Sequence, residues 1–130
     1  MDLSKIILKP GSFPILNQNA VVKDAIDIMN KYKLGSVCVV DKSSKLVGIV
    51  TDGDLRRKLV KYQKPFPEFM NNEIKFICSK KPISISRNIN KKNVLKIMNS
   101  KKIWDLPVVN LKKKLVGIIH LQDLLKIMVK

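Results

Sequence analysis

Apolar residues recur along the chain in two rhythms, and the rhythms come in the same order twice. Val22, Ala25, Ile26 and Met29 fall at i, i+3, i+4 and i+7, one face of an α-helix. The short apolar runs "SVCVVD" and "KLVGIVT" follow, separated by the polar "KSS", and read as two adjacent strands. A second helix then opens at "DGDLRRKL". Further on, Val94, Ile97 and Met98 repeat the first helix, and "LPVVN" and "KLVGIIH" repeat the strands around "LKK". A closing helix carries Leu121, Leu124, Leu125 and Met128, which the spacing predicts as its inward stripe. An extended piece after Pro14 or Pro82 leads into each set.

The recurrence is a sequence repeat. Residues 28–59 and 97–128 align without a gap at an offset of 69, with 13 of 32 positions identical. The expected fold class is therefore α/β (α+β): two copies related by a pseudo-two-fold, each a small, mostly antiparallel sheet with two helices. Residues 1–64 hold the first copy and its lead-in; residues 65–130 hold the connecting segment and the second copy. Pro65 and Pro67 stop the helix before them, and Phe66, Phe69 and Met70 predict a short packed turn. One copy of about 60 residues buries a meagre core. Two copies face to face bury more and leave a cleft lined by equivalent residues. Met29 and Met98, at helical spacing, read as core fillers.

Composition narrows the classes. The chain has 130 residues, 45% hydrophobic, with no apolar run long enough for a membrane span. The start, "MDLSKIILKPGSF", lacks a secretion-signal pattern. The two cysteines, Cys38 and Cys78, make no disulfide framework, so a reduced cytoplasmic setting is expected. The net charge is +16, which favours anionic ligands. Only Arg56, Arg57 and Arg87 are arginines, no lysine run exceeds three, and few aromatics interleave them. That scatter points away from a dedicated nucleic-acid reader. The single histidine, His120, has no Cys/His partners for a metal site and no nucleophile for catalysis, so it reads as a helix cap or a ligand contact.

The residues with chemistry sit at the strand-to-helix junctions. In "GIVTDGDL", Thr51 ends a strand and Asp54 stands three residues on. One reading is an N-cap closed by a capping box. The other is a ribose site, in which the hydroxyl and carboxylate meet a vicinal diol, Gly53 admits a ligand close to the backbone, and Arg56 and Arg57 reach a phosphate. Gly48 has two readings as well: close strand packing, or room for a ligand. The second copy repeats the junction as "GIIHLQDL", with Gly117 and Asp123 in matching places.

A Gly, two apolar residues, Ser or Thr, two variable residues and Asp or Asn make the junction motif of CBS domains, and the chain resembles a tandem CBS pair, or Bateman module, over essentially its whole length. The first copy matches fully with Gly48, Thr51 and Asp54; the second has His120 where the hydroxyl belongs. The resemblance implies a non-catalytic regulatory module, without metal or cofactor, that binds a nucleotide in the cleft. Thr51 and Asp54 would hold a ribose in one site and Asp123 in the other. In "IWDLPVV", Trp104, Asp105 and Leu106 would flank the base, and Pro107 would shape the strand start. It also implies a homodimer through the CBS helices.

"VTDGDLRRKL" with "KLVGIIHLQDLL" looks like the C-terminal CBS region of the arabinose 5-phosphate isomerase family of Kdo and lipopolysaccharide biosynthesis. By that resemblance the ligand is an adenine nucleotide, a cytidine nucleotide or an activated Kdo sugar, and the partner is a sugar isomerase domain absent from this chain. The alternatives are a structural dimerisation module with degenerate sites, or the CBS pair of a sugar nucleotidyltransferase. No specific nucleic acid and no membrane partner are implied.

Overall fold

The computed structural model describes residues 3–129. The elements, in order, are β1 (Ile15–Asn17), α1 (Val22–Tyr32), β2 (Ser36–Val40), β3 (Leu46–Thr51), α2 (Asp52–Lys61), α3 (Phe66–Met70), α4 (Lys91–Lys101), β4 (Asp105–Val109), β5 (Leu115–His120) and α5 (Leu121–Met128). Single 3-10 turns lie at Leu3–Lys5 and Ile74–Phe76. The expected mixed α and β class holds.

The repeat extends to backbone detail. Both first helices end on a lysine in the left-handed region, Lys33 (φ 54°) and Lys102 (φ 55°). Both hairpins turn through a left-handed residue, Ser44 (φ 66°) and Lys113 (φ 65°). In one turn Asp41 Oδ1 accepts from the Ser43 and Lys45 N–H groups, and in the other Asn110 Oδ1 accepts from those of Lys112 and Lys114. A side chain that binds the backbone two residues on stabilises such a turn without glycine. The antiparallel pairings β2–β3 and β4–β5 share a register, each with an irregularity at the second valine of "VV".

The first copy adds β1, parallel to β2, as a third strand. In the second copy that strand shrinks to a bridge between Ile85 and Val108. Proline accounts for the difference. Cys38 N–H donates to the Pro14 carbonyl at 3.1 Å, whereas the matching residue, Pro107, has no N–H to give.

The described residues form two compact units: residues 11–82, and residues 3–10 with 83–129. They are cut differently from the two sequence copies, because each copy's lead-in joins the other copy's sheet. Leu8 exchanges two backbone hydrogen bonds with Ile118, at 2.9 and 3.1 Å, and Ser79 does the same with Ile49, at 2.9 and 3.2 Å. These crossings explain the motif glycines. A Cβ at Gly48 would lie 2.5 Å from Cys78 Sγ and 2.7 Å from the Ser79 carbonyl, and one at Gly117 would lie 2.9 Å from the Leu8 carbonyl. At these two positions the structure has close strand packing.

Each unit has its own core. Val22, Val37, Val50, Phe69 and Ile74 fill one; Val94, Met98, Leu106, Ile119 and Leu124 fill the other. Met29 and Met98 are both core residues. Phe69 packs edge-on against Tyr62, with ring centroids 5.1 Å apart, while Phe66 is exposed. The expected packed turn is therefore a short helix held by one phenylalanine rather than two. The stripe of α5 is also shifted: Leu124 and Ile127 are buried and Leu125 is exposed.

Candidate functional site

Thr51 sits at the N-cap of α2 in extended conformation. Its Oγ1 accepts from the Asp54 N–H at 3.1 Å, and Asp54 Oδ2 accepts from the Thr51 N–H at 3.0 Å, a complete capping box. Arg57 Nη2 donates to Asp54 Oδ1 at 2.8 Å, and its guanidinium lies over Gly53. The box uses one lone pair of each group. The Thr51 hydroxyl keeps its proton to donate, and a carboxylate accepting one bond at each oxygen keeps two more acceptor positions. The cap and the ligand reading are thus compatible: the box fixes the two side chains and leaves them able to bind. Arg56 is exposed on the next turn.

The matching junction is built differently. His120 occupies the N-cap of α5, but its side chain makes no cap bond. Its Nδ1 lies 2.7 Å from Asp105 Oδ1, the residue opposite it in the β4–β5 register. Asp105 is buried and His120 half-buried. Asp123, in the first turn of α5, is half-buried. The helix-cap reading of His120 therefore fails for its side chain, which a strand neighbour draws away.

The structure brings together Thr51, Asp54 and Arg57 in one unit, and Asp105 with His120 in the other. Leu106 and Pro107 are buried in β4, where the Pro107 carbonyl accepts from the Ile85 N–H at 3.0 Å; Trp104 beside them is exposed. Sequence reasoning missed Ser36, which is buried and pairs in register with Thr51. The offset of 69 links Ser36 to Asp105 and Thr51 to His120, so the register of one hairpin carries over to the other.

Among the described residues, no group of three or more His, Cys, Asp or Glu could hold a metal ion, and no helix is long and apolar enough to cross a membrane. Burial pushes the Cys78 thiol above its ordinary range; Lys80 and a backbone hydrogen bond act weakly the other way.

The CBS domain family model matches residues 7–61 and 73–130. The chain belongs to the CBS domain family, as a tandem pair. It is 35% identical over 127 residues to an uncharacterized protein of Rickettsia prowazekii, covering 95% of this chain and 38% of that one. It is 40% identical over 106 residues to the inosine-5'-monophosphate dehydrogenase of Aquifex aeolicus, covering 81% of this chain and 20% of the enzyme. The chain thus spans well under half of either relative. Its fold matches that of CBSX2 in complex with AMP, with TM-score 0.85 and 20% identity over 98% of this chain and 96% of that one. It matches equally the CBS domain pair of protein MJ0100 in complex with 5'-methylthioadenosine and S-adenosyl-L-methionine, with TM-score 0.82 and 23% identity over 99% and 96%.

Proposed function

We propose that the chain is a regulatory module that binds an adenine nucleotide or a related adenosine compound, without catalysis of its own. The observation that carries this reading is the Thr51–Asp54 box. It presents a hydroxyl proton and a charged acceptor, rigidly spaced, at the positive end of a helix. A ribose diol offers donors and acceptors at that spacing, and a carboxylate binds a hydroxyl more strongly than a neutral group does. Arg56 and Arg57 supply charge for a phosphate, and the excess of positive charge steers the anion in. AMP and S-adenosyl-L-methionine in structures of the same fold support adenosine as the common part. Asp123 serves the equivalent position, with His120 turned to Asp105 in place of a hydroxyl; the two sites therefore differ in affinity.

The regulated partner is proposed from the motifs alone. "VTDGDLRRKL" and "HLQDLL" favour a sugar isomerase domain of the arabinose 5-phosphate type, with a cytidine nucleotide or an activated Kdo sugar as the competing ligand class.

A thermal-shift panel of AMP, ATP, S-adenosyl-L-methionine and CMP at moderate salt tests the reading. Saturation at a hundred times Kd adds about 2.7 kcal/mol to the folded state. One adenosine compound should raise the Tm of the parent and not that of Asp54→Asn, which keeps an oxygen for the Thr51 N–H but loses the charge. Equal shifts by every phosphate compound in both proteins would reduce the junction to a helix cap.

A further inference from the structure

His120 holds the place of Thr51 at the second junction, three residues before Asp123. Asp105 decides what its ring offers there. Nδ1 lies 2.7 Å from Asp105 Oδ1. At that distance two lone pairs repel, so a proton lies between them. An imidazole is a stronger base than a carboxylate, and the proton belongs to Nδ1. A neutral imidazole carries one ring proton, so Nε2 is left with a lone pair. The carboxylate side chain is 4% exposed and the imidazole 23%: the pair is anchored inside and opens outwards. Among the described residues Nε2 has no partner, and no buried side-chain nitrogen or oxygen goes without one; Nε2 therefore meets solvent. Among the same residues the Asp123 carboxylate has no partner either.

We propose that Asp105 is a positioning residue: by holding the Nδ1 proton it keeps His120 Nε2 as an acceptor, so that the second junction binds a sugar hydroxyl through the hydroxyl's own proton. The inference rests on the nucleotide reading above and names what the second site takes. The first junction mixes roles. Thr51 donates and Asp54 accepts, so a ligand oxygen without a proton still finds a donor. At the second junction neither side chain donates. A hydroxyl supplies the proton that Nε2 and the Asp123 carboxylate lack, whereas an ether oxygen, a fluorine or a phosphate oxygen meets only lone pairs. A site built to bond a hydroxyl rejects the analogue without it, because its own polar groups are left unpaired. The two junctions thus make different demands on the same ribose, and the difference comes from a residue that touches no ligand.

His120 is the only histidine, so its ring signals report this junction alone. The experiment is NMR of the imidazole nitrogens in the full chain at pH 8, above the ordinary imidazole range. AMP is then titrated in, and beside it the analogues with fluorine in place of the 2'- or the 3'-hydroxyl, which stay close to its size and lose its proton. The expected ring is the Nδ1–H tautomer. AMP should shift its signals saturably, and at least one fluoro analogue should bind at this junction at least tenfold more weakly. Asp105→Asn keeps the shape but turns an amide N–H to Nδ1, which moves the ring proton to Nε2. The circular dichroism spectrum should stay unchanged and the preference for AMP over the analogue should fall towards one. An Nε2–H or imidazolium signature in the parent overturns the proposal, and so does a preference that Asp105→Asn leaves intact. Calorimetric AMP binding that Asp54→Asn weakens, with the His120 signals unmoved, overturns this proposal alone and leaves the Thr51–Asp54 reading standing. No AMP binding by either measurement overturns both.

Discussion

The imidazole Nδ1 of His120 lies 2.7 Å from Oδ1 of Asp105, in the two positions that Thr51 and Ser36 hold in the other unit. One repeat thus spends its junction residue on a helix cap, and the other on a buried carboxylate. His120→Ala should destabilise the chain by about 1–3 kcal/mol, because a buried acceptor loses a partner. The paired change Asp105→Ser with His120→Thr, which copies the other unit, should cost less than the sum of the two single changes. Urea denaturation of all four proteins measures that coupling; strict additivity would mean that the two side chains do not support each other.

The capping box gives a second outcome. Thr51→Ala should cost about 1 kcal/mol, the usual loss of an N-cap. Asp54→Asn should cost less, because an oxygen remains for the Thr51 N–H. Thermal denaturation without ligand separates them, and equal losses would contradict the geometry at Asp54.

Gly48→Ala should destabilise by about 1–3 kcal/mol, the range for overpacking a tight site. The added methyl meets Cys78 Sγ at 2.5 Å and the Ser79 carbonyl at 2.7 Å. The double change Gly48→Ala with Cys78→Ala should recover part of the loss by removing the sulfur. No recovery would place the clash on the Ser79 backbone alone.

Burial raises the Cys78 thiol above its ordinary range, so the folded state holds that proton more tightly than the unfolded chain. The resulting stability is complete below the ordinary thiol range and is lost as pH climbs through the raised value. Cys78→Ser should flatten that alkaline loss in a series of denaturation curves. In the parent, alkylation of Cys78 at pH 8 should be slower in the folded than in the unfolded chain, because the thiolate is the reactive form.

The junction chemistry was legible in the sequence because a capping box is local: Thr51 and Asp54 are three residues apart and depend on nothing distant. The repeat made the helices and hairpins legible for the same reason. The exchange of lead-ins was not, since Leu8 meets Ile118 and Ser79 meets Ile49 through backbone hydrogen bonds that carry no side-chain signature. The Asp105–His120 pair needed the β4–β5 register, which the identical "KLVG" segments do not set, since they align the two copies and not the two strands within one. The inward stripe of α5 was misread because Leu125 and Ile127 are equally apolar, and only packing decides which of them turns inward.

The most direct test of the central claim is calorimetric titration of AMP into the full chain and into Asp54→Asn at moderate salt, with folding of both checked beforehand. Saturable binding to the parent, weakened at least tenfold in the variant, is the predicted result; loss of one hydrogen bond to a charged group is worth about 1.5–3 kcal/mol. Binding of equal strength to both proteins would contradict the assignment of the Thr51–Asp54 junction as the ribose site.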